Sequence, residues 1–308
     1  MSTSVFIVGV NGYIGFGVAK AYRRSGYKVY GLIRNEKFER ELVKEEIIPI
    51  VANIDDINSY KEELLKCSII IDAIGWNKDS SDKFLQFVLD AGQERVKNGQ
   101  QYKPLYIFTT GIMTYGVVGD RPIDETIKPQ PGTTIMKNKE NFENKVLSND
   151  KYIYPVVVRP GWVYGGTGGA VADWIYNEKD EIILWGRKDK RWSWVHVDDL
   201  GDGYVLIGRT NPNIVRNQVF NLAAPNDNPT FEEVRLKMAK VNGWTSDKIK
   251  YHEINDETEE DLRSWDSDSI INPAKAMDQL GWRPRHIGYL HEILLYYKSW
   301  EAHKQQSK

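Results

Sequence analysis

The sequence predicts an α/β protein, a doubly wound parallel sheet followed by a smaller, mainly helical C-terminal lobe. Three observations carry this. Short unbroken apolar runs recur along the first half, at Val5–Val8, Lys28–Ile33, Ile47–Val51, Ser68–Ala73, Leu105–Thr109 and Tyr154–Val158. Segments of helical periodicity separate them, and a glycine-rich turn joins the first run to the first helix. Strands that alternate with helices pair in parallel, and strands covered on both faces need no polar alternation.

Taken in order, Val5–Val8 is the first strand, and Ile14, Val18, Ala21 and Tyr22 mark the helix behind it, closed by Gly26. Lys28–Ile33 is the second strand, followed by a charged helical stretch from Glu36 to Val43 and a third strand at Ile47–Val51. A helical segment at Tyr60–Leu65 leads to the fourth strand at Ser68–Ala73. Phe84, Phe87, Val88 and Ala91 line one face of a longer helix, and the fifth and sixth strands follow. After Pro160 the rhythm changes. Helices dominate at Phe231–Asn242, Pro273–Leu280 and Leu290–His303, while Gln218–Leu222 reads as a strand that rejoins the first sheet. Residues 1–165 are therefore expected to form one domain and 166–308 a substrate-binding lobe.

Bulk properties exclude several classes. The chain has 308 residues, 27% of them charged and 41% apolar, with a net charge of −2. No basic run suggests a nucleic-acid partner, and no apolar stretch approaches the roughly 20 residues of a membrane helix. The single cysteine, Cys67, allows neither an internal disulfide nor a cysteine metal cluster. No metal site is expected. The N-terminal run lacks the flanks of a secretory signal, so a cytoplasmic location is expected. A homodimer stays open.

The turn reads Gly9-Val-Asn-Gly12-Tyr-Ile-Gly15. The first glycine permits the tight exit from the strand, the second lets backbone approach a pyrophosphate, and the third lets the helix pack closely. The pyrophosphate then meets the positive end of the helix. Gly9, Asn11, Gly12, Tyr13, Ile14 and Gly15 are thus expected to bind a dinucleotide on a Rossmann-type domain. At the end of the second strand an acid would hold the ribose hydroxyl of NAD, whereas an Arg accommodates the 2′-phosphate of NADP. Arg34 stands there and Glu36 two residues later, so NADP is the expected cofactor, with NAD the alternative.

These motifs resemble those of the short-chain dehydrogenase/reductase superfamily, in its extended, epimerase/dehydratase-like branch. The resemblance covers nearly the whole chain. It includes the glycine spacing, Asn53-Ile54-Asp55-Asp56, Asp72-Ala73-Ile74-Gly75, the string from Arg159 to Gly165, Trp194 to Leu200, Phe220 to Ala223, and Leu280 to Pro284. It implies that Asn53 and Ile54 meet the adenine. It also implies that Ala73, Ile74 and Gly75 run beneath the cofactor, and that Pro160 and Val163 lie beside the nicotinamide.

The resemblance further implies a Ser or Thr after the fifth strand and a Tyr-x-x-x-Lys pair on the next helix. Lys139, with Glu143 four residues on, fits the lysine frame, but Ile135 occupies the tyrosine position. The other register, on Lys137, puts Thr133 there. Thr110 and Tyr115 are the remaining candidates, for orienting a substrate oxygen and for moving a proton, and Lys139 is the candidate holder of the nicotinamide ribose. His196 is expected to bridge the lobes. Trp162, Trp185, Trp192 and Trp194 are expected beside the substrate cleft or in the core of the second lobe. Arg187, Lys188, Lys190 and Arg191 are candidate partners for a substrate diphosphate.

The leading expectation is an NADP(H)-dependent oxidoreductase acting on a small organic carbonyl or alcohol. A sugar-nucleotide epimerase or dehydratase is the second reading. A non-catalytic NADP(H)-responsive sensor is the third.

Overall fold

Strand β1 (Ser4–Val8) sends Val5 and Ile7 to one face of the central sheet and Phe6 and Val8 to the other, and all four are sealed from solvent. The same two-sided burial recurs in β4 (Ile69–Asp72) and β5 (Leu105–Thr109). That is why these strands are apolar without interruption. The computed structural model describes residues 4–75, 78–99, 102–116, 118–169, 172, 181–225, 227–241, 243, 245, 248–255, 257–286 and 288–306.

The central sheet has seven strands. With β2 (Lys28–Ile33), β3 (Ile48–Val51), β6 (Tyr154–Pro160) and β10 (Gln218–Leu222), its order is β3-β2-β1-β4-β5-β6-β10. Every pairing is parallel. The strand sequence reverses between β1 and β4, and a crevice opens at the carboxyl ends of strands at such a switch point.

Helix α1 (Tyr13–Arg24) lies on one face and α4 (Lys78–Lys97) on the other, with α2 (Glu39–Lys44) and α3 (Lys61–Lys66) in the early crossovers. Helix α1 ends as a helix closed by glycine should: Gly26, at φ +83°, gives its N–H to the Arg23 carbonyl, and Tyr27 bonds back to Tyr22. Helix α5 (Thr134–Leu147) covers the face that holds Phe108 and Val157, through Phe142 and Val146. Helix α6 (Val197–Arg209) packs on α1, and the Tyr22 hydroxyl donates to the Tyr204 carbonyl at 2.7 Å.

The later part of the chain carries more strand than the sequence suggests. Strand β7 (Trp162–Tyr164) pairs with β9 (Trp194–His196), and β8 (Ile182–Trp185) pairs with β11 (Ile249–His252). Around them stand α7 (Pro212–Val215), α8 (Phe231–Val241), α9 (Glu260–Trp265), α10 (Ala274–Leu280) and α11 (Ile293–Gln306). Asn242, the expected end of α8, lies outside the described residues. Helix α11 begins later than its apolar periodicity indicates. Residues 289–291 form a turn there, pinned by the Tyr289 N–H on the Asp227 carboxylate.

Candidate active site

The glycine turn adopts the geometry its spacing demands. Gly9 sits at φ +76°, and a Cβ there would lie 2.5 Å from the Ala73 carbonyl group. A Cβ on Gly15 would run into the Gly9 carbonyl oxygen. That oxygen accepts the Gly12 N–H at 2.9 Å and closes the turn. Gly12 caps α1 with no side-chain hydrogen bond, and the first turn of the helix contains no acid. No carboxylate of that turn competes with an anion for the positive helix end.

A cavity of about 440 Å³ opens beside this turn. It is lined by Tyr13, Ile14, Ala73 and Gly75, by Thr109 to Met113, by Lys139 and by Pro160 to Val163. Eight of the expected site residues thus line one cavity: Tyr13, Ile14, Ala73, Gly75, Thr110, Lys139, Pro160 and Val163. Gly9, Gly12 and Gly15 shape the turn, and Asn11 is exposed upon it. Ile74 gives its N–H to the Asp72 carboxylate at 3.2 Å. Arg34 is exposed just past β2 and forms no hydrogen bond or ion pair among the described residues. Asn53 is exposed past β3, where its side chain accepts the Asp55 N–H, and Ile54 is half-buried beside it.

Each wall residue has a local cause. Thr110 leaves β5 with its N–H on the Val158 carbonyl, and its hydroxyl lies 3.2 Å from that of Thr114. Thr133 caps α5, accepting the Met136 N–H. That role excludes it from the tyrosine position of the second register, and Lys137 is exposed, so the register places Lys139 on the cavity. Ile135 is half-buried and supplies no phenol. Glu143, one turn beyond Lys139, accepts two hydrogen bonds from the buried Arg159 guanidinium.

Tyr115 does not join the cavity wall. It is sealed in the interior, with its hydroxyl between Asn221 and the Asp124 carbonyl and the Arg159 guanidinium 4.5 Å from its ring centre. Burial pushes its phenol above the ordinary range, against the opposing pull of Arg159. A proton-transfer role for Tyr115 therefore has no geometric support.

Asp72, sealed at the end of β4, was not singled out from the sequence. Burial raises its carboxyl to about 6, although the Ile74 N–H and the Tyr106 hydroxyl both stabilise the carboxylate. The readable signal was a lone acid ending an apolar run. Ile112 and Met113 were also missed. They line the cavity because the chain makes a three-ten turn at Ile112–Tyr115 directly after β5.

The tryptophans divide. Trp192 and Trp194 are core residues, whereas Trp162 forms cavity wall and stacks on Trp192 at 4.2 Å between ring centres. Trp185 packs on His252. The four cations are engaged elsewhere or exposed. Arg187 pairs with Asp268 and Asp189, and buried Lys190 bonds the Trp185 carbonyl and Asp266. Arg191 bonds the Asn228 carbonyl, and Lys188 lies over Tyr251.

His196 caps α6, its Nδ1 accepting the Asp198 N–H at 3.2 Å, and it stacks on His286 at 3.5 Å and 11°. Asp199 accepts the N–H groups of Arg285 and His286. His196, Asp198 and His286 lie close enough to suggest a cation site. Parallel stacked rings, however, cannot turn their in-plane lone pairs onto one ion, and the His196 Nδ1 pair already serves the helix cap. No helix among the described residues is long and apolar enough to cross a membrane.

Residues 5–223 match the model of the NAD dependent epimerase/dehydratase family, and the chain belongs to that family. No curated protein sequence matches it. Among solved structures it is similar to UDP-glucose 4-epimerase from Thermus thermophilus in complex with NAD. There the TM-score is 0.75 and the identity 18%, over 97% of this chain and 99% of that one. It is also similar to the dTDP-glucose 4,6-dehydratase DesIV of Streptomyces venezuelae with NAD bound, at TM-score 0.79 and 13% identity over 98% of each chain. The dTDP-glucose 4,6-dehydratase of Bacillus anthracis in complex with NAD gives TM-score 0.75 and 16% identity, over 98% of this chain and 97% of that one. At such identities the likeness establishes the fold.

Proposed function

We propose that this protein is a nicotinamide-dinucleotide-dependent oxidoreductase that acts on a small, largely apolar carbonyl compound or alcohol. The observation that carries the reading is one cavity joining the glycine turn to Thr110 and Lys139. The residues fit the cofactor: an uncapped helix terminus for the pyrophosphate, the backbone of Ala73 and Gly75 beneath it, and Lys139 for the ribose. Arg34, exposed directly past β2 and two residues ahead of Glu36, favours NADP(H) over the NAD bound in the structural relatives. The division into a cofactor domain at 1–165 and a substrate lobe at 166–308 is part of the same proposal.

When bound, the nicotinamide supplies hydride exchange with a substrate carbon. The Thr110 hydroxyl donates to the substrate oxygen and fixes its orientation. The Lys139 ammonium holds the ribose and lends positive charge where negative charge develops on that oxygen. Both neighbouring phenols are committed, Tyr13 to the Gly165 carbonyl and Tyr115 to Asn221 and Asp124. The proton therefore comes from solvent, which forgoes the roughly 10²- to 10⁴-fold advantage of a positioned acid.

A sugar-nucleotide epimerase or dehydratase is the second reading, favoured by the relatives named above. The ties of Arg187 and Lys190 to Asp268 and Asp266 weigh against it, because a diphosphate needs available cations.

The test is NADPH consumption with a panel of aldehydes, ketones and enones, beside NAD-loaded protein offered UDP-glucose and dTDP-glucose. Turnover of a carbonyl that falls about 100-fold in Lys139→Ala supports the proposal. Turnover of a sugar nucleotide instead establishes the second reading. Tight NADPH binding with no consumption points to a sensor.

A further inference from the structure

A second glycine segment, Gly165-Gly166-Thr167-Gly168-Gly169, follows directly after β7. It lies between two side chains. The Tyr13 hydroxyl donates to the Gly165 carbonyl at 2.6 Å, across 152 residues of sequence. A Cβ on Gly169 would strike the Tyr13 ring, and a Cβ on Gly165 would strike the His196 imidazole. Both glycines have positive φ, so the segment is shaped to admit these rings.

Tyr13 belongs to both halves of the site. Its backbone opens α1 directly behind the glycine turn, and the residue is part of the cavity lining. His196, on the far side of the segment, caps α6, and α6 packs on α1. The contacts close a circuit: α1 to Tyr13, Tyr13 to Gly165, Gly165 to His196, and His196 through α6 back to α1. Val163, two residues before Gly165, is itself cavity wall.

We propose that Tyr13 is a positioning residue that couples occupancy of the dinucleotide turn to the Gly165–Gly169 segment, and so to the substrate wall at Trp162 and Val163. This rests on the cofactor reading above. A dinucleotide packed on the Tyr13 ring restricts that ring, and the hydroxyl carries the restriction to the Gly165 carbonyl. The bond is neutral and partly buried. Its loss corresponds to a weakening of NADPH binding of about 2- to 10-fold, with no loss of the site.

The experiment is amide hydrogen exchange over residues 162–169, with and without NADPH, in wild type and Tyr13→Phe. Fluorescence titration measures NADPH affinity for each protein, and Tyr13→Phe keeps the ring. In wild type, NADPH should slow exchange across 162–169. In Tyr13→Phe, NADPH should still bind and still protect the glycine turn at 9–15, while protection of 162–169 is lost. Gly169→Ala, which pushes against the Tyr13 ring, should reduce protection in the same segment. Equal protection of 162–169 in wild type and Tyr13→Phe overturns the proposal, as does wild type that binds NADPH without protecting the segment. If wild type binds neither NADPH nor NADH, the cofactor reading itself fails, and the coupling fails with it.

Discussion

Glu143 and Arg159 form a buried two-point ion pair that ties α5 to β6. The Glu143 carboxylate accepts from both Nε, at 3.1 Å, and Nη2 of the guanidinium, and neither side chain is more than 6% exposed. Lys139 stands one helical turn before Glu143, and Pro160 directly follows Arg159, so the pair sets two walls of the cavity against each other. The Arg159 guanidinium also lies over the Tyr115 ring.

Breaking this pair from one side leaves a charge uncompensated in the interior. Glu143→Ala should lower stability by about 3–5 kcal/mol. The double variant Glu143→Leu with Arg159→Met should recover most of that. Urea denaturation measures both, and a loss under about 1 kcal/mol, the value of an exposed pair, would contradict the buried geometry.

Tyr115→Phe separates a structural phenol from a catalytic one. The hydroxyl is bonded to Asn221 and the Asp124 carbonyl and does not reach the cavity. Its removal should cost about 1 kcal/mol of stability and leave turnover within about twofold. Thr110→Val should do the reverse, lowering kcat/KM while the melting temperature barely moves. A collapse of turnover in Tyr115→Phe would restore the phenol as the acid.

Gly9→Ala should abolish dinucleotide binding. The added methyl meets the Ala73 carbonyl group, and the φ of +76° is strained for any L side chain. Equilibrium dialysis with NADPH reads the loss, and circular dichroism shows whether the fold survives. Wild-type affinity in this variant would mean that the turn does not hold the cofactor.

Acid pH should destabilise the protein in part through His196. Burial, reinforced by the neighbouring His286, pushes its imidazole from 6.5 down to about 4. The unfolded chain then binds the proton more readily than the folded one. The contribution is full above 6.5 and is lost as pH falls from 6.5 toward 4. Asp72 acts in the opposite sense, because burial raises it from 3.8 to about 6, so its ionisation costs stability as pH rises through that range. His196→Asn keeps a capping acceptor and removes the titration. Melting curves between about pH 7 and about pH 5 should fall less steeply for this variant than for wild type. Equal slopes would contradict the assignment.

The parallel sheet was legible in the sequence because both faces of each strand are covered, which writes an apolar run without alternation. The runs at Lys28–Ile33, Leu105–Thr109 and Gln218–Leu222 coincide with β2, β5 and β10 to the residue. The two small sheets, β7 with β9 and β8 with β11, were not legible. Trp162–Tyr164 and Trp194–His196 are three residues each, too short for a period, and their pairing is fixed by aromatic packing between distant segments. In the site, glycine spacing predicts the turn because backbone geometry demands it. The direction of a ring is set by tertiary partners, so Tyr115, placed by Arg159 and Asn221, could not be read from its neighbours in sequence. The same is true of Tyr13, whose hydroxyl partner is the distant Gly165.

The turn at Gly9–Gly15 and the cavity beside it are proposed to hold a nicotinamide dinucleotide, with Arg34 selecting the phosphorylated form. The measurement is a titration of wild type with NADPH and with NADH, read by the quenching of tryptophan fluorescence. Both should bind saturably, with NADPH about 10- to 100-fold tighter, as a charge-assisted contact to the 2′-phosphate requires. Arg34→Ala should bring the two affinities together. Wild-type protein that binds neither dinucleotide at millimolar concentration would mean that the turn and its cavity are not a dinucleotide site.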